Sequence, residues 1–286
     1  MLFGLLGVLI FSATLPMTRL AVADLHPVFI AIGRAAVASA GAVVLLAWRR
    51  PPMPTRRQWR LLFETALGVV VGFPVFSSIA MQYLPASHGA IVVGLAPLAT
   101  AVAAVLFARE HPSGGFWLCA LLGTALVTGY AVSEAGGLTW GDGSLLIAVA
   151  LGALGYARGG VLSRDMDGDL VISWALVLFL PLTVAVTLWA VLDGWAFLVA
   201  PADVRLASWL GFLYVGLFSM WIGFFFWYRG LAAGGVARVG QVQLLQPFFT
   251  VLIAALMLGE ALNWKTVGFA AAVIATVAIG RRMQVR

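Results

Sequence analysis

Ten long apolar runs constrain this chain more than any other feature. A helix needs about 20 mostly apolar residues to cross the hydrocarbon core of a bilayer. Breakers cut the chain into runs of that size at roughly 2–22, 28–48, 59–82, 86–108, 114–133, 143–163, 170–192, 205–229, 235–259 and 263–281. The breakers are His26-Pro27, Pro51-Pro52-Met53-Pro54, Leu84-Pro85, His111-Pro112, Gly136-Gly137, Asp165 to Asp169, Asp193-Gly194, Pro201 and Gly234-Gly235. Long continuous runs favour a helical bundle, because the strands of a membrane barrel are short and alternate. The expected class is therefore an all-α integral membrane protein. Only 10% of the residues are charged, against about 25% in a soluble domain. That is too little charge to cover a globule, which excludes a soluble enzyme, a DNA-binding domain and a disordered chain.

The placement of cations gives orientation. With the N-terminus in the cytoplasm, the cytoplasmic connections collect Arg49, Arg50, Arg56, Arg57, Arg60, Arg109, Arg164, Arg229 and Arg238, and the tail adds Arg281, Arg282 and Arg286. These are 12 of the 17 basic residues. The positive-inside rule then puts both termini in the cytoplasm of a bacterial-type inner (plasma) membrane. Basic residues between apolar runs meet anionic lipid, so the bilayer is the expected partner and nucleic acid is not. The first run starts at Leu2 without a basic leader region and ends in Pro16-Met17-Thr18-Arg19. It is expected to be a retained span rather than a signal peptide. Cys119 is the one cysteine and has no partner for an intramolecular disulfide.

A repeat organises the spans. Sliding the chain by 150 residues brings Val92 onto Val242, Leu95 onto Leu245, Pro97 onto Pro247, Thr100 onto Thr250, Ala104 onto Ala254, Leu106 onto Leu256 and Glu110 onto Glu260. Alanine and leucine matches are cheap in such a composition. A mid-span proline, a threonine three residues on and a terminal glutamate are not. The expected halves are 1–135 and 136–286, five spans each. An odd number of spans per half makes the halves opposite in orientation, an architecture of secondary transporters that holds substrate near mid-membrane.

Ala96-Pro97 to Arg109-Glu110, paired with Gln246-Pro247 to Gly259-Glu260, resembles the fourth helix of each repeat in the drug/metabolite transporter superfamily, specifically its EamA-like branch. The resemblance covers nearly the whole chain. It implies ten transmembrane helices in two inverted five-helix repeats, and export of small metabolites without a cofactor. Length and charge placement look similar to the YddG-type amino-acid exporters of that branch, as does Ser12 to Arg19 in the first span.

Candidate substrate-contacting residues follow from polarity at depth. Gln243 and Gln246 lie one turn apart with Thr250 a further turn on, so they share one face. Lipid cannot satisfy an amide, so that face points to substrate or to another helix. His88 and its repeat mate Arg238 sit near opposite membrane faces, where they are either gates of one path or interfacial residues. Arg158, beside Tyr156, meets a substrate carboxylate, pairs with Asp165 or Asp167, or snorkels inward. Arg34 is expected to snorkel outward or to pair with Asp24. Trp221 and Phe225 share a face of the eighth span and are candidates to wall an apolar or aromatic substrate. Ser77 and Ser78 follow Pro74 and either re-satisfy the helix or touch substrate. Pro16, Pro74, Pro97 and Pro247 are candidate kinks for a rocking motion.

No glycine-rich phosphate loop supports ATP-driven pumping. His26, His88 and His111 lack metal-ligand spacing, so no metal site is expected. No carboxylate occupies mid-span, which disfavours proton coupling through a buried acid and leaves facilitated diffusion as the simpler mechanism. The leading expectation is an exporter of small metabolites, neutral or aromatic amino acids first, working as a monomer by alternating access. A drug exporter of the same fold, a membrane enzyme on lipid-linked substrates and a channel are the alternatives. The first of these would want a mid-membrane acid for cationic drugs, and the second a cluster of Asp, His or Glu at a membrane rim.

Overall fold

The structure, a computed structural model, describes residues 1–110, 113–135, 139–260 and 264–280. The breakers His111-Pro112 and Gly136-Gly137 and the tail cations Arg281, Arg282 and Arg286 lie outside the described residues. Among the described residues, ten helical segments follow the apolar runs closely. They are α1 (Leu2–Ala21), α2 (Pro27–Arg49), α3 (Arg56–Tyr83), α4 (Ala86–Ala108), α5 (Gly114–Ala135), α6 (Trp140–Leu162), α7 (Gly168–Leu192), α8 (Leu206–Gly234), α9 (Val236–Leu258) and α10 (Trp264–Gly280). Their ends carry ordinary helix signals. His26 accepts from the Val28 amide ahead of Pro27, and capping boxes at Thr55 and Thr139 start α3 and α6. Arg50, Arg109 and Gly259 take left-handed conformations just past α2, α4 and α9.

The packing has the pseudo-symmetry of an inverted repeat. The relation that places α1–α5 on α6–α10 exchanges the α1/α8 contact with the α3/α6 contact, and both are extensive. It maps α2/α7, α4/α9 and α5/α10 onto themselves, and these pairs also pack together. Glycines allow the crossings. A β-carbon at Gly68 of α3 would stand 2.5 Å from the Leu151 carbonyl oxygen of α6. One at Gly230 of α8 would stand 2.8 Å from the Gly4 amide nitrogen of α1. With little hydrophobic force between helices in lipid, such backbone approach is a main source of packing energy.

Among the described residues, two helices of each half are interrupted at depth at matching places. Pro97 cannot donate to the carbonyl of Val93, nor Pro247 to that of Gln243. Correspondingly, α4 tightens into i→i−3 bonds at Gly94 and Leu95 before resuming at Ala96, and α9 tightens to 3-10 geometry over Gln241–Leu245 before resuming at Gln246. α3 and α8 widen into π-helical turns at Leu67–Gly72 and Val215–Ile222, again about 150 residues apart. Turns of this kind free backbone carbonyls and gather at functional sites. α1 bends at Ala13, before Pro16. The Ser12 carbonyl that Pro16 leaves free accepts the Thr250 hydroxyl of α9 at 2.7 Å, so the broken ladder is repaired from the other half.

Candidate functional site

The candidate site is built around Arg34, eight residues into α2 and so about 11 Å below its start. Its side chain neither snorkels nor meets Asp24, contrary to expectation. It is 2% exposed and points across to the π-helical turn of α8. There its Nε donates to the Val215 carbonyl at 3.0 Å, and its Nη2 donates to Ser219 Oγ at 3.0 Å. Ser219 Oγ shares a 2.7 Å hydrogen bond with Thr14 Oγ1 of α1. Nη1 is buried and has no hydrogen-bond partner among the described residues. Asp24 is taken instead by Arg205 and Ser208, with an Arg205 Nη2 to Asp24 Oδ1 distance of 2.8 Å and a Ser208 Oγ to Oδ2 distance of 2.6 Å. The hydrogen bonds from Arg205 hold the Asp24 carboxyl well below the usual carboxylate range, with Ser208 assisting and burial opposing.

Arg34 lines a cavity where helices of both halves meet. Phe11 and Thr14 come from α1, Val69 and Phe73 from α3, Tyr156 from α6, Ser219 and Phe224 from α8, and Gln246 from α9. Thr14 and Ser219 sit about 18–20 Å from the starts of their helices, which places the cavity at mid-membrane depth. The aromatic rings pack on one another around it: Phe11 stacks with Tyr156 at 6.4 Å between centroids and tilts against Phe224 at 5.0 Å. The cavity is narrow, with room for about one water. The cavity is small and mostly apolar, with Arg34, Thr14, Ser219 and Gln246 as its polar points.

The model of the EamA-like transporter family matches residues 1–130 and 139–280. The chain belongs to the EamA-like transporter family. It is 46% identical over 280 residues to a Bacillus subtilis (strain 168) protein described as "Uncharacterized transporter YdeK", covering 98% of this chain and 96% of that one. It is 23% identical over 263 residues to "Uncharacterized transporter YyaM" of the same organism, covering 87% and 83%. A solved chain described only as "Crystal structure of protein" superposes with a TM-score of 0.71 at 20% identity, over 98% of this chain and 97% of that one. That likeness speaks for the fold alone. The protein is a multi-pass membrane transporter.

For a transporter, what closes the cavity above and below matters as much as its lining. At the end where the chain starts, the near end, Glu110 at the close of α4 accepts from the Val236 and Ala237 amides that open α9, at 2.8 and 2.7 Å. At the far end, Glu260 after α9 accepts from the Ala86 and Ser87 amides that open α4, both at 2.9 Å. Each broken helix thus ends in a carboxylate that caps the start of the other, where free amides and the helix dipole favour negative charge. Arg164 adds a 3.3 Å ion pair to Glu110. His88 Nε2 and Asp142 Oδ1 are 2.7 Å apart at the far end, joining α4 to α6.

The residues singled out from sequence divide into three groups. Tyr156 and Gln246 line the cavity. Arg158, Gln243 and His88 tie helices together. Arg158 meets Glu64 of α3 at 2.5 Å and stacks over Phe107 of α4 at 4.4 Å, not Asp165 or Asp167, which face Arg57 and Arg49. Gln243 Oε1 accepts from Thr100 Oγ1 at 3.3 Å, and Thr100 is the repeat mate of Thr250. Trp221, Phe225, Ser77 and Ser78 are absent from the cavity wall. Trp221 donates to Ser173 Oγ of α7 at 3.0 Å, sits against Gly41 of α2 and packs edge-on to Phe225. Ser77 Oγ donates to the Pro74 carbonyl at 3.3 Å, and Ser78 Oγ is buried with no hydrogen-bond partner among the described residues. Arg34, Thr14 and Ser219 were missed. A lone cation a third of the way along an apolar run, with a hydroxyl at depth in two other runs, is the signal that could have found them.

Proposed function

We propose that the protein is a secondary carrier that exports small metabolites, neutral and aromatic amino acids first, by alternating access. One observation supports this above the rest. A small cavity holding a buried arginine sits between the two halves at mid-membrane, and the broken helices α4 and α9 cap one another at both ends through Glu110 and Glu260. Opening one end requires one pair of caps to separate while the other holds, so a rocking of one repeat on the other exposes the cavity to one side at a time. The prolines at 16, 74, 97 and 247 mark where the helices yield. The Arg34 guanidinium is suited to an amino-acid carboxylate, and the Phe11, Tyr156 and Phe224 rings to an apolar side chain. The lining holds no carboxylate among the described residues, which supports facilitated diffusion over proton coupling at the site. The repeats at 1–135 and 136–286 are the moving bodies, the near end faces the cytoplasm of the plasma membrane, and a single chain suffices.

Counterflow in proteoliposomes tests the reading. Liposomes preloaded with unlabelled neutral or aromatic amino acid should accumulate the labelled one transiently and saturably, to the same extent with and without an imposed pH gradient. No exchange for any amino acid in the panel would refute amino-acid transport. Exchange that requires the gradient would refute facilitated diffusion.

A further inference from the structure

We propose that Arg34 makes the cavity a carboxylate receptor, so that a carboxylate is obligatory in the substrate while an ammonium group is dispensable. The inference rests on the carrier reading above and narrows the chemistry of that same site. Two of the three guanidinium nitrogens are held by α8, through the Val215 carbonyl and Ser219 Oγ. They fix the plane and rotation of the fork. The third, Nη1, is buried with no partner on a side chain that lines the cavity. An unpaired charged donor in a buried site carries the full cost of its lost hydration. Nη1 has two hydrogens to give, and Nη2 has a second beyond the one aimed at Ser219. A carboxylate accepts two parallel bonds from such an edge. Because the fork is already oriented, little freedom is lost when the anion arrives.

The charge count of the lining then decides the rest of the substrate. Arg34 is the one fully charged side chain among the described residues that line the cavity. A bound monocarboxylate neutralises it. An ammonium on the same substrate would find only neutral acceptors, the Gln246 amide and the hydroxyls of Thr14, Tyr156 and Ser219. Those can hydrogen-bond an ammonium but do not balance its charge. Amino acids are then one member of a wider class, small monocarboxylates with an apolar or aromatic body. A molecule with the same body and only an amine brings a second positive charge beside Arg34, which is unfavourable at low dielectric.

The experiment compares three probes of one shape, 3-phenylpropionate, phenylalanine and phenethylamine, as ligands that raise the thermal stability of the purified transporter, and as competitors of labelled amino-acid counterflow. The two carboxylates should stabilise and compete, and phenethylamine should do neither. In Arg34→Gln the response to 3-phenylpropionate should weaken by at least about thirtyfold, as for a buried charge pair losing one partner. Arg34→Lys keeps the charge and loses the fork, and should fall between. Phenethylamine equal to the carboxylates, or no stabilisation by either carboxylate, would overturn the inference on wild-type protein alone, whether or not the variants fold. The two readings fail separately. Amino-acid exchange that is indifferent to the carboxylate sinks the receptor and leaves the carrier. Carboxylate binding with no amino-acid exchange sinks the amino-acid carrier and leaves the receptor.

Discussion

The two halves agree in their frame and differ in what they carry at its centre. Pro97 and Pro247 break α4 and α9, the π-helical turns widen α3 and α8, Glu110 and Glu260 cap, and glycines bring α3 onto α6 and α8 onto α1. At mid-membrane the match ends. Gln246 lies where the first half has Ala96, Gln243 where it has Val93, and Ser219 where it has Val69, while Arg34 is held by the α8 turn. In the carrier proposed above, the symmetric parts supply the two closures and the asymmetric parts the single site, which has no reason to look the same from both sides.

The largest expected effect comes from breaking the frame. Gly68→Val and Gly230→Val each force a side chain into opposing backbone. Each should cost more than the roughly 1–3 kcal/mol of ordinary overpacking and abolish folded, monodisperse protein in size-exclusion chromatography. If only one of the two does so, the frame is not equivalent in the two halves. Next comes the asymmetric centre. Gln246→Ala gives α9 the residue α4 has at that place. It should weaken substrate by about five- to tenfold, the worth of one hydrogen bond, measured as the half-saturation of counterflow, with the melting temperature little changed. A drop in stability without a change in affinity would make Gln246 interhelical glue.

The caps should show a smaller effect with opposite signs. Removing charge from a cap by Glu110→Gln or Glu260→Gln costs about 1 kcal/mol, a population shift of about fivefold. Glu260→Gln should expose the far end and Glu110→Gln the near end. Labelling of Ser87→Cys and Ala237→Cys by a membrane-impermeant reagent, in a Cys119→Ser background, reads this directly. Parallel shifts would mean the two caps do not compete.

The smallest effect distinguishes two ion pairs that the pseudo-symmetry relates. Asp24 with Arg205 ties α1 to α8 at the far end, and Asp165 with Arg57 ties α6 to α3 at the near end, at 2.8 and 3.4 Å. Asp24 is buried and Asp165 about half exposed. Asp165→Asn should leave the melting temperature unchanged, as for most surface pairs, and Asp24→Asn should lower it. The Asp24 carboxyl titrates below its unfolded value of 3.8. Its contribution is therefore complete above that pH and is lost as pH falls through the lower, folded value. The gap between wild type and Asp24→Asn should be constant at neutral pH and shrink only below about pH 4.

The frame was legible because its signals are local. Span lengths, prolines, terminal glutamates and the offset between them are all written along the chain, and Tyr156 and Gln246 stood out by polarity at depth. The misassigned residues are those whose partners come from elsewhere in the fold. For Arg34 the sequence offers outward snorkelling or the nearby Asp24, but Arg205, 181 residues beyond Asp24, holds that carboxylate. For Arg158 the sequence offers a substrate carboxylate, the acids of the next loop or snorkelling, but Glu64 of α3 reaches it. Trp221 and Phe225 share a helical face as their spacing predicts. Spacing cannot show that this face lies on Gly41 and Ser173 rather than on the cavity. A π-helical turn that offers a free carbonyl to a guanidinium has no sequence mark of its own.

The most direct measurement is to tie one end shut. His88 of α4 and Asp142 of α6 face each other across the far end at 2.7 Å. Cysteines at these two positions, in a Cys119→Ser background, can be joined by a short reducible cross-linker in proteoliposomes. Alternating access predicts that counterflow stops on cross-linking and returns on reduction, while either single cysteine leaves it running. Counterflow that continues at its full rate with the far end tied would contradict alternating closure at the two ends.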